Sequence, residues 1–458
     1  MKHFLWGTAT AAYQIEGGVS EGGRGWSVWD AFCRIPGRVK GMADGDVGCD
    51  SFHRFAEDVK MMKLLGVNAY RFSISWPRIQ PTGRGEANPA GIAYYDRLID
   101  LLLENGITPF VTLYHWDLPL DLQMAHDGWL NPEIVRDFSR YAKICFDAFG
   151  DRVKHWITFN EPWCVARLGH GSGCFPPGRV SDSEPYSAGH HMLLAHAHAA
   201  RLFREGSGGG VIGIANNCDF REPLTDSPED REAAQRSLEF FYGWFTDPVV
   251  FGDYPRCMRE RVGSRLPEFT ASEQALLKGS CDFLGLNHYT TLYASATPPA
   301  EQSADGNGGM NADQEVYLSA DPAWEQNDMP WNIVPWGFRK LLNWIAARYP
   351  GYAVYVTENG CACAEPDAAA ALNDEQRCRF LRDYTAAMQT AIDEDGVDVR
   401  GYFCWTLMDN FEWVHGYGKR LGLIRVSPDN LERTTTPPST RPSACTAACA
   451  ICHAALPA

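Results

Sequence analysis

The chain has no run of 18 apolar residues, so nothing in its 458 residues reads as a membrane-spanning helix. It also lacks a basic surplus: 41 Lys and Arg stand against 57 Asp and Glu, a net charge of −16. A phosphate backbone needs a basic face, so no nucleic-acid partner is expected. The opening Met1-Lys2-His3-Phe4-Leu5-Trp6-Gly7 has neither the apolar core nor the small-residue cleavage site of a secretory leader, which predicts a cytoplasmic address. Hydrophobic residues at 45% and charged residues at 21% exclude a disordered chain. The 15 cysteines show no disulfide framework; Cys145, Cys218, Cys281 and Cys404 lie singly in apolar segments and read as small buried thiols kept reduced. Finally, no Gly-x-Gly-x-x-Gly follows the first apolar run, which weighs against a doubly wound dinucleotide fold.

Eight short apolar runs are present: Phe4–Tyr13, Ala69–Ile74, Thr108–Tyr114, His155–Asn160, Val211–Asn216, Phe283–Tyr289, Ala353–Thr357 and Tyr402–Thr406. Helix-period stretches separate them at Ser51–Leu65, Ala90–Glu104, Pro132–Phe149, Pro185–Arg204, Pro228–Trp244 and Pro335–Tyr349. Runs apolar throughout suit strands covered on both faces, and eight strands with intervening helices close a parallel barrel. The expected fold is α/β, a single (β/α)8 TIM barrel with elaborated loops at its C-terminal face. The stretch from Ala294 to Met329, rich in Ala, Pro, Gly, Asp and Asn, reads as one long loop overhanging that face.

The sharpest local signal is a carboxylate at two strand ends. Thr158-Phe159-Asn160-Glu161-Pro162 closes the fourth run, where Pro162 blocks continuation of a central strand. Val356-Thr357-Glu358-Asn359-Gly360 closes the seventh, with Gly360 permitting a tight turn. Two carboxylates at one barrel mouth are what glycosidic cleavage requires: one protonates the leaving oxygen, and the other attacks the anomeric carbon or activates water. The plainer alternative is that each caps a segment or pairs with Arg. Other strand ends bring Gln14, His115, Trp116, Asn287, Tyr289, Trp405 and Trp413 to the same face. Arg71, inside the second run, needs a carboxylate partner, and Glu358 is the plausible one. The 15 Trp gain a use here, since Trp116, Trp163, Trp331, Trp405 and Trp413 fall near the mouth, where flat faces stack on sugars.

These strings together resemble glycoside hydrolase family 1, and within it the bacterial β-glucosidases. They are Phe-Leu-Trp-Gly at 4–7, Ala-Tyr-Gln-Ile-Glu-Gly at 12–17, Arg-Phe-Ser-Ile-Ser-Trp-Pro-Arg at 71–78, Tyr-His-Trp-Asp-Leu-Pro at 114–119, Thr-Phe-Asn-Glu-Pro at 158–162, Asn-His-Tyr at 287–289, Thr-Glu-Asn-Gly at 357–360 and Asp-Asn-Phe-Glu-Trp at 409–413. The resemblance implies that Glu161 is the general acid/base and Glu358 the nucleophile of a retaining double displacement. It implies that Arg71 and Tyr289 support the nucleophile and that Asn160 holds the sugar 2-hydroxyl. Gln14, His115, Glu412 and Trp413 are implied to hold the other hydroxyls, Trp405 to floor the sugar ring, and Trp331 to shape the leaving-group site. The implied substrates are small-molecule β-glucosides and short oligosaccharides, with no cofactor and no metal; monomer and homo-oligomer stay open. A sugar-transferring enzyme and a non-catalytic sugar binder are the rivals, and two intact carboxylates weigh against the second.

Three further signals are set aside. His190, His191, His196 and His198 lack a His-Glu-x-x-His pattern and read as buried, hydrogen-bonded histidines rather than metal ligands. Cys361-Ala362-Cys363 reads as a free thiol near the mouth. In the tail, Cys449-Ala450-Ile451-Cys452-His453 matches a haem-attachment string, but a haem protein would need export and a haem fold. No Phe, Tyr or Trp follows Tyr417 for 41 residues, and Leu421 stands where the family commonly has Phe. Residues 1–436 are therefore read as the catalytic domain, and 437–458 as an atypical Ala/Cys/Pro-rich tail whose loss costs little stability.

Overall fold

The computed structural model describes residues 4–206, 208–298, 309–364 and 374–435. Eight strands form the barrel: β1 (Leu5–Ala9), β2 (Ala69–Ser73), β3 (Thr108–Tyr114), β4 (His155–Asn160), β5 (Val211–Asn217), β6 (Phe283–Asn287), β7 (Ala353–Asn359) and β8 (Val399–Trp405). Each pairs in parallel with its neighbour in sequence, and β8 closes onto β1. Phe110, Phe283, Tyr355 and Phe403 pack edge to face inside the barrel and fill its lower part. The interior is thus a core, and chemistry is left to the upper rim. No helix among the described residues is long and apolar enough to cross a membrane.

Helices at Ser51–Leu65, Pro89–Glu104, Glu133–Phe149, Glu184–Glu205 and Pro335–Arg348 lie where the periodicity put them. Pro89, Pro185 and Pro335 occupy first turns, where a missing N–H costs nothing. Several expectations need correction. The first run splits: β1 stops at Ala9, and Ala12–Ile15 is a helical turn seeded when Ala12 N–H donates to Ser73 Oγ at 2.7 Å. Pro228–Trp244 is not one helix but Pro228–Leu238, a π-helical turn at Glu239–Gly243 and a helix at Trp244–Phe251. Glu375–Asp393 is a further helix with no counterpart among the expected ones; its buried Cys378, Leu381, Tyr384, Met388 and Ala391 recur at helical spacing between Arg, Asp and Gln.

The supposed long loop is also partly ordered structure. Thr291–Ser295 pairs with Phe220–Pro223 in parallel and with Tyr317–Ser319 antiparallel, forming a small sheet outside the barrel. Gly309–Gln314 is a short helix between them, and residues 299–308 lie outside the described residues. The tail from 437 onward, with its Cys-rich string, also lies outside them.

The described chain ends on a short antiparallel pair, Ile424–Val426 with Arg433–Thr435. Arg433 fastens it: Nε donates to Asp58 at 2.8 Å and Nη2 to the Cys49 carbonyl at 2.7 Å, and both side chains of the ion pair are buried. Removing one partner of a buried pair strands the other charge. Arg433→Ala should therefore cost about 3 kcal/mol in urea unfolding, and an Arg433→Met, Asp58→Leu double variant should cost less than the single one.

Candidate active site

The two carboxylates sit beside irregularities of their strands. The pairing of β4 with β5 shifts register between Ile157 and Asn160, and β7 shifts against both neighbours between Val356 and Asn359. Bulges of this kind re-aim side chains at a barrel rim. β7 runs two residues further than the apolar pattern suggests, so Glu358 is a strand residue. Glu161 lies one step past β4 with φ 46° and ψ 61°, a left-handed backbone that costs a non-glycine residue about 1–3 kcal/mol. Gly360 serves a different purpose from the tight turn expected of it: a Cβ there would lie 1.8 Å from the Trp405 carbonyl oxygen, so only glycine lets β7 and β8 converge.

Arg71 is fully buried and bonds across the barrel. Its Nη1 donates to Glu358 Oε1 at 2.7 Å and to the Thr357 carbonyl at 2.9 Å, while Nη2 donates to Asn160 Oδ1 and Nε to Thr112 at 3.2 Å. The other Glu358 oxygen accepts from the Tyr289 hydroxyl at 2.7 Å. Glu161 Oε1 accepts from Asn287 Nδ2 at 2.8 Å; the same amide reaches Asn160 Oδ1 at 3.0 Å, and Thr357 Oγ1 fixes its oxygen at 2.6 Å.

These neighbours separate the two acids. Burial and the nearby Glu358 charge push Glu161 up to about 8, against the weaker pull of Asn287, Cys164 and Arg71. Burial raises Glu358 as well, but the Arg71 guanidinium in contact and the Tyr289 hydroxyl draw it back. Glu161 is accordingly the member that holds a proton near neutrality, and Glu358 the one stabilised as an anion.

Around them lies a set of donors and acceptors suited to hydroxyls. Asn160 has its oxygen occupied by Arg71 and Asn287, so its Nδ2 donates to His115 Nε2 at 3.0 Å. That makes Nε2 the acceptor and puts the imidazole proton on Nδ1, which is buried with no protein partner. Burial holds His115 neutral, and the Arg71 charge adds to this. Gln14 Nε2 donates to the Phe411 carbonyl at 2.9 Å and to Asn410 at 3.1 Å, which leaves its buried Oε1 without a protein partner. Burial, then the Glu358 and Glu161 charges, push Glu412 up to about 8. The rings of His115 and Trp405 stack at 5.8 Å, and Trp413 packs on Trp116 at 4.5 Å between ring centroids. Trp116 Nε1 donates to the Asn160 carbonyl at 2.9 Å, so this Trp braces Asn160 as well as lining the wall. Trp331 lies against Tyr289 at 4.8 Å, and both pack on the cluster that holds Trp405.

The structure thus brings both carboxylates and the polar groups expected around them into one connected rim, whereas Trp163 packs on Phe241 of the π-helical turn at 4.5 Å. It also adds four that the sequence did not flag: Thr112 on Arg71, Thr357 on Asn287, Asn410 on Gln14, and Cys164, whose thiol lies 3.1 Å from Glu161 Oε2. Cys164 alone had a usable signal, standing one helical turn after Glu161. The histidines of Glu184–Glu205 find protein partners elsewhere: His190 on Tyr254, His191 on the Trp129 carbonyl, His196 on Thr158 and His198 on Arg201, with His191 and His198 half-buried rather than buried. Cys361 and Cys363 are buried rather than exposed at the mouth, with sulfurs 3.9 Å apart.

The profile of glycosyl hydrolase family 1 matches residues 1–440. A coniferin β-glucosidase of Pinus contorta is 48% identical over 448 residues, covering 92% of this chain and 87% of that protein. β-Glucosidase 1B of Phanerodontia chrysosporium is 48% identical over 453 residues, covering 94% and 82%. Among solved structures, a rice β-glucosidase mutant in a covalent complex with Glc superposes with a TM-score of 0.92 at 44% identity, covering 95% of this chain and 96% of that one. With a closed eight-stranded barrel, two differently tuned rim carboxylates and these relatives, the chain is a glycosidase belonging to glycosyl hydrolase family 1.

Proposed function

We propose that the enzyme hydrolyses terminal non-reducing β-D-glucosyl residues of small β-glucosides and short cello-oligosaccharides, with retention of configuration. The observation that carries this is the unequal treatment of two buried carboxyls, one against a guanidinium and the other against amide and thiol. In the first step Glu358 attacks the anomeric carbon as the bond to the leaving oxygen breaks, and that oxygen takes the Glu161 proton. In the second, Glu161 accepts a proton from water as the water oxygen displaces Glu358. Asn160, already polarised by Arg71, is placed to bond the 2-hydroxyl, a contact that tightens as the ring nears an oxocarbenium ion. His115 Nδ1–H, Gln14 Oε1 and the Glu412 carboxyl supply one donor, one acceptor and one group able to act as either. That suits a polyol. The rice neighbour's covalent complex with Glc supports the glycosyl-enzyme.

β-Fucosyl and β-galactosyl residues are secondary substrates in this reading. A phosphate on the 6-position is excluded in this reading, because its charges would meet the Glu358 anion and a Glu412 carboxyl whose neighbours already oppose further negative charge. Residues 1–436 form the catalytic domain, acting without metal or cofactor, and neither nucleic acid nor membrane is a partner. No disulfide joins any of the twelve cysteines among the described residues, which supports a reducing, cytoplasmic setting.

A panel of 4-nitrophenyl glycosides with cellobiose tests the assignment. The β-glucoside should lead, and its 6-phosphate should fall roughly 100-fold lower in kcat/KM, the scale of like-charge exclusion. Comparable rates on the two would refute the glycone assignment.

A further inference from the structure

The two oxygens of Glu161 have different company. Oε1 accepts an amide N–H from Asn287. Oε2 lies 3.1 Å from Cys164 Sγ, and that sulfur lies 3.3 Å from Asn217 Nδ2 at the end of β5. Cys164 belongs to the short helical turn Pro162–Cys164 that follows Glu161, and its own N–H returns to the Glu161 carbonyl at 2.9 Å. The thiol is therefore fixed from two directions and largely buried.

Hydrogen bookkeeping then assigns the protons. Asn217 gives its N–H to the sulfur, so the S–H is free to point at Oε2. A carboxyl oxygen that accepts a strong amide N–H is better used as the carbonyl, so the acid proton belongs on Oε2. The thiol occupies one lone-pair side of that oxygen and leaves the other for the leaving group. We propose that Cys164, oriented by Asn217, is a positioning residue: with the acid proton left on Oε2 by the amide N–H at Oε1, its S–H holds Oε2 in place and stabilises the carboxylate that accepts a proton from water in the second step.

The inference rests on Glu161 being the acid/base. Burial and the Glu161 charge hold Cys164 well above the ordinary thiol range, so it acts as a donor and not as a nucleophile. The other groups facing Glu161 are Glu358 of β7, Arg71 of β2, Asn287 of β6, and Tyr289 and Glu412 of the rim loops.

The experiment compares Cys164→Ala and Cys164→Ser with wild type, by pH profiles of kcat/KM on cellobiose and by turnover of 2,4-dinitrophenyl β-glucoside. That leaving group needs no acid, so the second step limits its turnover. Cys164→Ala should move the alkaline limb up by about half to one pH unit, the scale of one lost hydrogen bond to a carboxylate. It should also lower kcat on the dinitrophenyl substrate roughly 3–10-fold, with KM falling in proportion as glycosyl-enzyme accumulates. Cys164→Ser, which keeps a donor, should recover the wild-type limb. An alanine variant whose limb matches wild type overturns the proposal, as do alanine and serine variants that shift alike. If Cys164→Ala fails to fold, Asn217→Ala must move the limb in the same direction, and an unmoved limb is equally fatal. Glu161→Ala with azide, run alongside, separates the two readings. Without β-glucosyl azide the acid/base assignment falls and takes Cys164 with it; with that product and an unmoved Cys164→Ala limb, only the thiol's role falls.

Discussion

Glu358→Gly should lose β-glucoside hydrolysis by about 10⁴–10⁶-fold in kcat, the scale seen when a covalent nucleophile is deleted. Added azide should restore turnover on activated aryl glucosides. The azide enters from the face that Glu358 vacates, so the product is the α-glucosyl azide, with inverted configuration. Polarimetry or proton NMR reads that stereochemistry directly. A sugar-binding protein without catalysis would show neither the loss nor the rescue. Folding must be checked, because the substitution removes the anion from a buried Arg71. Arg71 retains the Thr357 carbonyl, Asn160 and Thr112 as acceptors, and Glu358→Gln keeps an amide oxygen at the vacated place. The glutamine variant should be as inactive as the glycine one and closer to wild type in urea unfolding. A Glu358→Gln protein that keeps hydrolysing would end the nucleophile assignment.

Glu161→Ala should show a loss that depends on the leaving group. For cellobiose or an alkyl glucoside, whose departing oxygen must be protonated, kcat/KM should fall by about 10³–10⁴. For 2,4-dinitrophenyl β-glucoside the first step should survive almost intact, the second should limit, and KM should fall with kcat. Azide should then accelerate turnover and give the β-glucosyl azide, since two inversions have occurred. The pH dependence follows from the same residue. The first step needs Glu161 protonated, and its pKa is pushed up to about 8. Wild-type kcat/KM on unactivated substrates should therefore decline above roughly pH 8. Glu161→Gln, which cannot titrate, should abolish that limb. A limb that persists in the glutamine variant would transfer it to another group, of which Glu412 is the nearest candidate.

Much of this was legible in the sequence because the barrel writes itself plainly. Strands buried on both faces are apolar throughout, and a Glu or His at the end of such a run has no apolar reason to be there. That logic found Glu161, Glu358, His115 and Asn287. It failed where side-chain chemistry serves two purposes. Thr357 looks like any β-branched strand former, and only its 2.6 Å bond to Asn287 reveals its use. Cys164 looks like a small hydrophobe. The end of the first run is not legible because Ala11-Ala12-Tyr13 is apolar in either conformation, and the Ser73 hydroxyl that turns it helical lies 61 residues away. β7 outruns its apolar pattern because a polar Glu-Asn pair normally ends a strand, and here a bulge carries it on. The strands at Thr291–Ser295 and Tyr317–Ser319 were hidden by the low-complexity segment between them.

Arg71 invites a mechanical description. A closed ring of parallel strands has one soft way to deform, a slide of the strands past one another that changes the ring's outline without breaking it. Arg71 stands on β2 and holds β3, β4 and β7 at once, like a strut across a hoop. Triangulating the hoop fixes the distance from the fourth strand to the seventh, and so the gap between the two carboxylates. The loops and the small outer sheet lie above this brace and bear none of its load. They can lengthen, shorten or change sequence, and so alter what enters the mouth, while the span across which the bond is cut keeps its gauge.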